Sequence, residues 1–122
     1  MIIGIGCDLV NVLRIKKLII RLQYRFLKKI YTPLEIRLAP VQQELLFFYY
    51  YAKRFAAKEA YAKATGYGIG QYVAFHSLQI LNNDQGKPYF YQHPFIAKNI
   101  NTYLALSDDY PYVVSYVFLT QD

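Results

Sequence analysis

The hydrophobic and polar positions divide the chain into a strand, a group of helices and then several strands. Residues 2–6 alternate isoleucine and glycine, which predicts a short buried strand ending near Asp8. Its two glycines indicate that another backbone or a ligand approaches closely. Residues 12–30 follow a helical period with one apolar and one basic face. Thr32-Pro33 ends this amphipathic helix and can cap a short second helix.

The middle and the C-terminal part of the chain complete this pattern. Residues 43–65 predict the longest helix, because their second half is rich in alanine, and Gly66 is suited to cap it. We predict strands at about 72–81, 88–92, 102–106 and 112–119, with a turn at 82–87 between the first two. A strand, then helices, then several strands indicates an α+β fold with a mainly antiparallel sheet.

Length and composition restrict the class of protein. The chain has 122 residues, of which 55% are hydrophobic, so we expect one packed domain over 1–122. Cys7 is the one cysteine, which excludes a disulfide framework and favours a reducing, cytoplasmic location. We expect no membrane span and no signal peptide. The 18% of aromatic residues leads us to expect self-association.

The positive charge is concentrated near the N-terminus. The net charge is +6, and residues 14–37 contain eight basic side chains but one acidic side chain. This composition implies an acidic partner, which on charge alone is nucleic acid, an anionic membrane or an acidic protein. On a helix over 12–30 the basic stripe consists of Arg14, Lys17, Arg21, Arg25 and Lys28.

Two carboxylates and a lysine are candidates for chemistry. Glu59 and Lys63 are four residues apart, so they share a helix face and either form a surface ion pair or bind Mg²⁺ and phosphate. Asp8 either ends its strand as a polar residue or supplies a second carboxylate. Gly66–Gly70 either stops the helix or offers backbone N–H groups to a phosphate. Cys7 is expected to be a small buried residue, and His76 and His93 to be structural.

Longer motifs contain these same residues. The sequence GIGCDLV stands at residues 4–10, followed by Arg14-Ile15. The sequence FAAKEAYAKATGYG stands at residues 55–68, and GKPY at residues 86–89. In this order they resemble the motifs of the holo-[acyl-carrier-protein] synthase family of 4′-phosphopantetheinyl transferases. The resemblance covers essentially the whole chain.

The resemblance implies a reaction and a set of site residues. Phosphopantetheine would pass from coenzyme A to a serine of apo acyl carrier protein, in support of fatty acid biosynthesis. Asp8 and Glu59 would hold Mg²⁺, and Lys63 would contact phosphate and stabilise or protonate the leaving group. Coenzyme A would also meet Lys58, Gly66 and Gly68. The family forms homotrimers with active sites between subunits, so Asp8 and Glu59 need not come from one chain.

The resemblance also proposes a partner for the basic stripe. Acyl carrier proteins are acidic, and the family docks them on its first helix, which would place Arg14, Arg21 and Arg25 at the interface. One departure stands near the C-terminus, where Asp108 replaces a histidine common in the family. Asp108 either accepts a hydrogen bond, lies near a metal or is a turn residue. Two alternatives remain: a small nucleic-acid-binding module, which we disfavour, and a carrier-protein binder without catalytic activity.

Overall fold

Four helices and five strands form the fold, and the computed structural model describes all 122 residues. All strand pairs are antiparallel, which confirms the predicted α+β class. No helix is both long and apolar enough to cross a membrane. In chain order the elements are β1 (Ile2–Asn11), α1 (Val12–Leu22), α2 (Tyr24–Ile30), α3 (Pro33–Arg37), α4 (Glu44–Thr65), β2 (Gln79–Asn82), β3 (Pro88–Gln92), β4 (Ile100–Asp109) and β5 (Tyr112–Gln121).

Two sheets flank the long helix α4. The larger sheet has the strand order β1-β5-β4, so the first and last strands of the chain are neighbours, and β2 and β3 form a separate hairpin. The aromatic N-terminal half of α4 packs against α1 and α2. Its alanine-rich C-terminal half packs against the sheets. Tyr49 and Tyr51 are buried, as expected for a helix between apolar surfaces.

Helix α4 lies directly on the backbone of β1. A Cβ atom on Gly4 would overlap the main-chain carbonyl of Ala64, and one on Gly6 would overlap that of Ala60. The predicted close approach of another backbone to these glycines is therefore confirmed. The small side chains of Ala60 and Ala64 allow this contact, which brings the C-terminal half of α4 close to the end of β1.

The continuous helix predicted over residues 12–30 is wrong. Gln23 has a φ of 52°, and it separates α1 from α2. Neither glycine nor proline marks this break in the sequence, so the periodic pattern alone could not reveal it. As a result Arg14 and Arg21 lie on α1, whereas Arg25 lies on a separate helix.

The strand predicted at about 72–81 is also mostly wrong. Regular pairing begins only at Gln79, and Phe75–Ser77 form a turn of 3₁₀ helix. Val73 and Leu78 are both fully buried, although on one strand two residues five apart would point to opposite faces. The turn between them directs both side chains into the same core.

The contact between β1 and α4 predicts a specific loss of stability. We expect Gly6→Ala to lower the free energy of unfolding by about 1–3 kcal/mol, because the added methyl group overlaps main chain that cannot rotate away. Urea unfolding measures the change. Gly70→Ala is the matched control, because a Cβ at Gly70 meets nothing within 4 Å. Equal stability of the two variants would contradict the close contact.

Candidate active site

Asp8 and Lys63 connect β1 to α4. The Lys63 Nζ atom donates to Asp8 Oδ1 at 2.8 Å and to the Cys7 carbonyl at 3.1 Å. The Asp8 side chain is 14% exposed and that of Lys63 is 52% exposed, so the pair lies at the surface. The surface ion pair between Glu59 and Lys63, one of the two alternatives for this spacing, is not formed, because Lys63 reaches across to the strand. Both members of the observed pair come from the same chain.

Glu59 lies one turn before Lys63 and forms no ion pair. Its side chain is partly buried, and burial raises the pKa of its carboxyl group. The negative charge of Asp8 raises this pKa further, whereas Lys63 and Arg14 lower it. The negative charges of Asp8 and Glu59 repel each other, and a cation near both would stabilise them.

These residues fit a magnesium ion. Mg²⁺ is usually held by one or two carboxylates, with water and substrate phosphate oxygens completing its octahedron. Asp8 and Glu59 supply two such carboxylates, and no group of three or more metal-binding side chains exists to enclose the ion. Lys63 is half exposed and its hydrogen bonds to Asp8 and Cys7 leave one N–H group, so it can donate to a phosphate oxygen. The hydrogen bond to Asp8 raises its pKa.

Gly66 and Gly68 lie immediately after this site, but their N–H groups already have acceptors. The Gly66 amide donates to the Lys63 carbonyl and the Gly68 amide to the Ala62 carbonyl. Gly66 has a φ of 84°, as expected for a residue that ends a helix. A Cβ on either glycine would meet nothing within 4 Å, so both leave open space beside the end of α4.

The prediction that Lys58 contacts coenzyme A needs correction. Its ammonium is fully buried and 2.7 Å from Glu35 Oε1. It also donates to the main-chain carbonyls of Ile30 and Phe75. An ammonium has three N–H groups, so none is left for a ligand. Sequence spacing could not reveal this, because the partners lie 17 to 28 residues away.

The basic residues of α1 and α2 lie on and near an apolar groove that the sequence did not predict. Arg14 lies over the ring of Phe55 and close enough to Glu59 to lower its pKa, so it borders the carboxylate site. Arg21 is exposed in the last turn of α1, and Arg25 lies at the groove itself. We call this cavity of about 520 Å³ the α1–α2 groove; it is lined by Leu18, Leu22, Arg25, Phe26, Lys29, Ile30, Phe55 and Phe75.

The expectations for Asp108 as a turn residue and for Cys7 as a buried residue are wrong, whereas that for His93 is confirmed. Asp108 is not a turn residue, because it lies in β4, where it pairs with Val113 of β5, and it forms an ion pair with Lys53 at 2.9 Å. Cys7 is exposed, not buried, because strand alternation directs it away from the face of Gly6 and Asp8. His93 is structural as expected, since it is buried and hydrogen-bonded to Tyr61.

Comparisons with known proteins match this chain over nearly its whole length. Residues 4–116 match the 4′-phosphopantetheinyl transferase superfamily. A holo-[acyl-carrier-protein] synthase of Wolbachia pipientis is 38% identical over 121 residues, which is 98% of each chain. One from a Geobacillus species is 39% identical over 119 residues, covering 98% of this chain and 97% of the relative.

A solved structure has the same fold. The crystal structure of a holo-(acyl-carrier-protein) synthase from Bacillus anthracis in complex with CoA (3′,5′-ADP) superposes with a TM-score of 0.89. It is 34% identical, and the match covers 100% of this chain and 99% of that one. The chain is therefore an enzyme that belongs to the 4′-phosphopantetheinyl transferase superfamily, and the two relatives described above are holo-[acyl-carrier-protein] synthases.

Proposed function

We propose that the protein transfers 4′-phosphopantetheine from coenzyme A to a serine of apo acyl carrier protein, in a reaction that depends on Mg²⁺. The products are holo acyl carrier protein and adenosine 3′,5′-bisphosphate, and the reaction supports fatty acid biosynthesis in the cytoplasm. The observation that carries the proposal is the meeting of Asp8 and Lys63, next to Glu59, at the two longest motifs of the chain. The names of the relatives agree with this reaction.

In the proposed mechanism the carrier serine oxygen attacks the β-phosphorus of coenzyme A. The new phosphorus–oxygen bond forms as the bond to the bridging oxygen breaks, and the electron pair leaves with adenosine 3′,5′-bisphosphate. Asp8 and Glu59 would hold Mg²⁺, which when bound neutralises negative charge on the diphosphate oxygens. Lys63, which is half exposed, would donate to the leaving phosphate. The serine proton passes either to Glu59, whose pKa is raised, or to water.

Mass spectrometry of an acidic apo acyl carrier protein tests this proposal. The carrier is incubated with this protein, coenzyme A and MgCl₂, with and without EDTA. We expect a mass gain equal to the phosphopantetheine arm that disappears with EDTA. No gain on several carriers, from a folded sample that binds coenzyme A, would contradict the transferase activity. Tight oligonucleotide binding without coenzyme A binding would favour the nucleic-acid alternative.

Glu59→Gln tests the metal site. The amide keeps the shape of the side chain but removes its charge, so we expect the turnover number to fall by at least about a hundredfold. Circular dichroism and thermal melting should show an unchanged fold. Glu44→Gln is the matched control, because Glu44 is an exposed carboxylate on the same helix, paired only with Lys16. Near-normal turnover of Glu59→Gln would contradict the metal role.

We further propose that the carrier docks on the basic residues around the α1–α2 groove. Arg25 and Lys29 stand beside apolar lining residues, so the groove offers both positive charge and apolar surface to an acidic helical segment. Arg14 and Arg21 extend the positive surface along α1. Exposed charges of this kind act mainly on the association rate and are screened by salt.

Arg21→Glu is the cleaner probe of docking, since Arg14 also influences the pKa of Glu59. We expect the KM for the carrier to rise by about fivefold at low salt and the difference to shrink as salt is added. The KM for coenzyme A should not change. Arg37→Glu, on the exposed end of α3, is the control. An unchanged carrier KM at low salt would exclude Arg21 from the interface.

We also propose that the protein assembles as a homotrimer. One face of the larger sheet carries exposed apolar side chains: Ile5, Phe118 and Tyr103 lie side by side on β1, β5 and β4. They are 59%, 40% and 58% exposed, respectively. Tyr116 and Leu9 continue this open sheet face, which fits an interface between copies of the chain. Coenzyme A would then bind between subunits.

Phe118→Lys tests the assembly. A charge in the middle of the open sheet face should prevent burial of that face, so we expect a monomer where the unmodified protein is a trimer. Size-exclusion chromatography with light scattering gives the mass. Val41→Lys is the control, because Val41 is 79% exposed outside the sheet. A monomeric unmodified protein would contradict the trimer, and a trimeric Phe118→Lys protein would place the interface elsewhere.

A further inference from the structure

Lys58 and Glu35 form an ion pair in the interior, whereas Lys63, on the same helix as Lys58, pairs with Asp8 at the surface. The side chains of Lys58 and Glu35 are both fully buried. The Lys58 ammonium donates to Glu35 Oε1 at 2.7 Å, to the Ile30 carbonyl at 2.9 Å and to the Phe75 carbonyl at 3.2 Å. Since all three N–H groups have acceptors on different segments, the lysine fixes those segments relative to α4.

Glu35 extends the connection to two further segments. Its Oε1 atom accepts from the Thr32 amide and its Oε2 atom from the Ile80 amide, each at 2.9 Å. Thr32 and Glu35 also form the capping box of α3. One buried carboxylate therefore links the start of α3 and strand β2 to the lysine on α4.

A buried ion pair is poorly explained by stability alone. Moving two charges out of water costs free energy, and their mutual attraction offsets this cost only when the geometry is good. Apolar side chains of similar volume in the same place are often equally or more stabilising. A buried ion pair can instead serve to impose one arrangement on the segments that it connects. The arrangement at issue here is that of the two carbonyl partners, Ile30 and Phe75.

Ile30 and Phe75 both line the α1–α2 groove. Ile30 is the last residue of α2, and Phe75 begins the turn before β2. Phe55, one turn before Lys58 on α4, also lines the groove and stacks on Phe75 at 5.7 Å between ring centres. Lys58 thus connects two segments that line the groove, by hydrogen bonds to the main-chain carbonyls of Ile30 and Phe75. Side-chain packing alone would not supply these hydrogen bonds.

We propose that the Lys58–Glu35 pair is a clamp that sets the shape of the α1–α2 groove and so positions the carrier protein for the reaction. This inference rests on the proposed function, in which the groove receives the carrier. Lys58 and Glu35 touch neither substrate and are positioning residues. The clamp therefore acts on carrier binding, and we expect it to leave the coenzyme A site at the surface residues Asp8 and Lys63 unchanged.

The test variant combines Lys58→Met with Glu35→Gln. Methionine fills the lysine volume without a charge, so no unpaired charge is left buried. Glutamine keeps one acceptor oxygen, for either the Thr32 or the Ile80 amide, where glutamate has two. We expect the double variant to fold, with the KM for the carrier raised about tenfold or more and the turnover number within about threefold. The Kd for coenzyme A, measured by calorimetry, should stay within about twofold.

The matched control removes another lysine–carboxylate pair that involves α4. Lys53→Met with Asp108→Asn breaks a partly exposed ion pair between α4 and β4, and neither residue lines the groove. We expect its carrier KM to equal that of the unmodified protein. If the clamp variant transfers with an unchanged carrier KM, or if its Kd for coenzyme A rises as much as the carrier KM, the proposal is overturned. No transfer by the unmodified protein would instead contradict the proposed function.

Amide hydrogen exchange tests the clamp without any activity. The Leu78 amide donates to the Phe75 carbonyl, which also accepts from Lys58, and the Ser77 amide donates to the Ala74 carbonyl in the same turn. We expect their exchange to be at least about tenfold faster in the double variant, with exchange in β5 unchanged. If the double variant does not fold, Glu35→Asp, which keeps both charges but shortens the reach to Lys58, should change both readouts in the same direction by less. Unchanged exchange in the turn overturns the clamp whatever the assay gives.

Discussion

The site depends on how closely α4 lies on β1. Gly4 and Gly6 leave no side chain between the strand and the helix, so main chain meets main chain. At that distance Lys63 can reach Asp8 from the neighbouring element. A larger residue at position 6 would push the helix outward and separate the two groups, although neither would have changed.

Helix α4 carries a buried lysine, Lys58, and an exposed one, Lys63, and their roles differ. Lys58 is surrounded by acceptors in the interior, where burial lowers its pKa and Glu35 opposes that effect. Lys63, five positions later, is exposed beside Asp8, whose hydrogen bond raises its pKa. A lysine with every N–H group occupied can only organise structure, whereas an exposed one can exchange its partner for a phosphate. The burial of each group therefore separates the structural role from the chemical one.

Local patterns predicted the parts of this protein that local physics determines. The long helix, its glycine cap, the glycine contact of β1 and the α+β class follow from propensity, period and the absence of side chains. The break at Gln23 and the turn at Phe75–Ser77 depend on tertiary packing, so the pattern gave a continuous helix and a strand instead. The partners of Lys58 lie far away in sequence, and for that reason its burial could not be predicted.

Strand β1 also links the site to the open sheet face. Its residues alternate, so Gly6 and Asp8 face α4 while Ile5 and Leu9 face outward with Phe118 and Tyr103. A slip of one residue in the pairing with β5 would exchange these two sets, because a strand has a period of two. It would place isoleucine against α4 and remove Asp8 from Lys63. Covering the outer face with another copy of the chain would therefore favour the one register in which the carboxylate site exists.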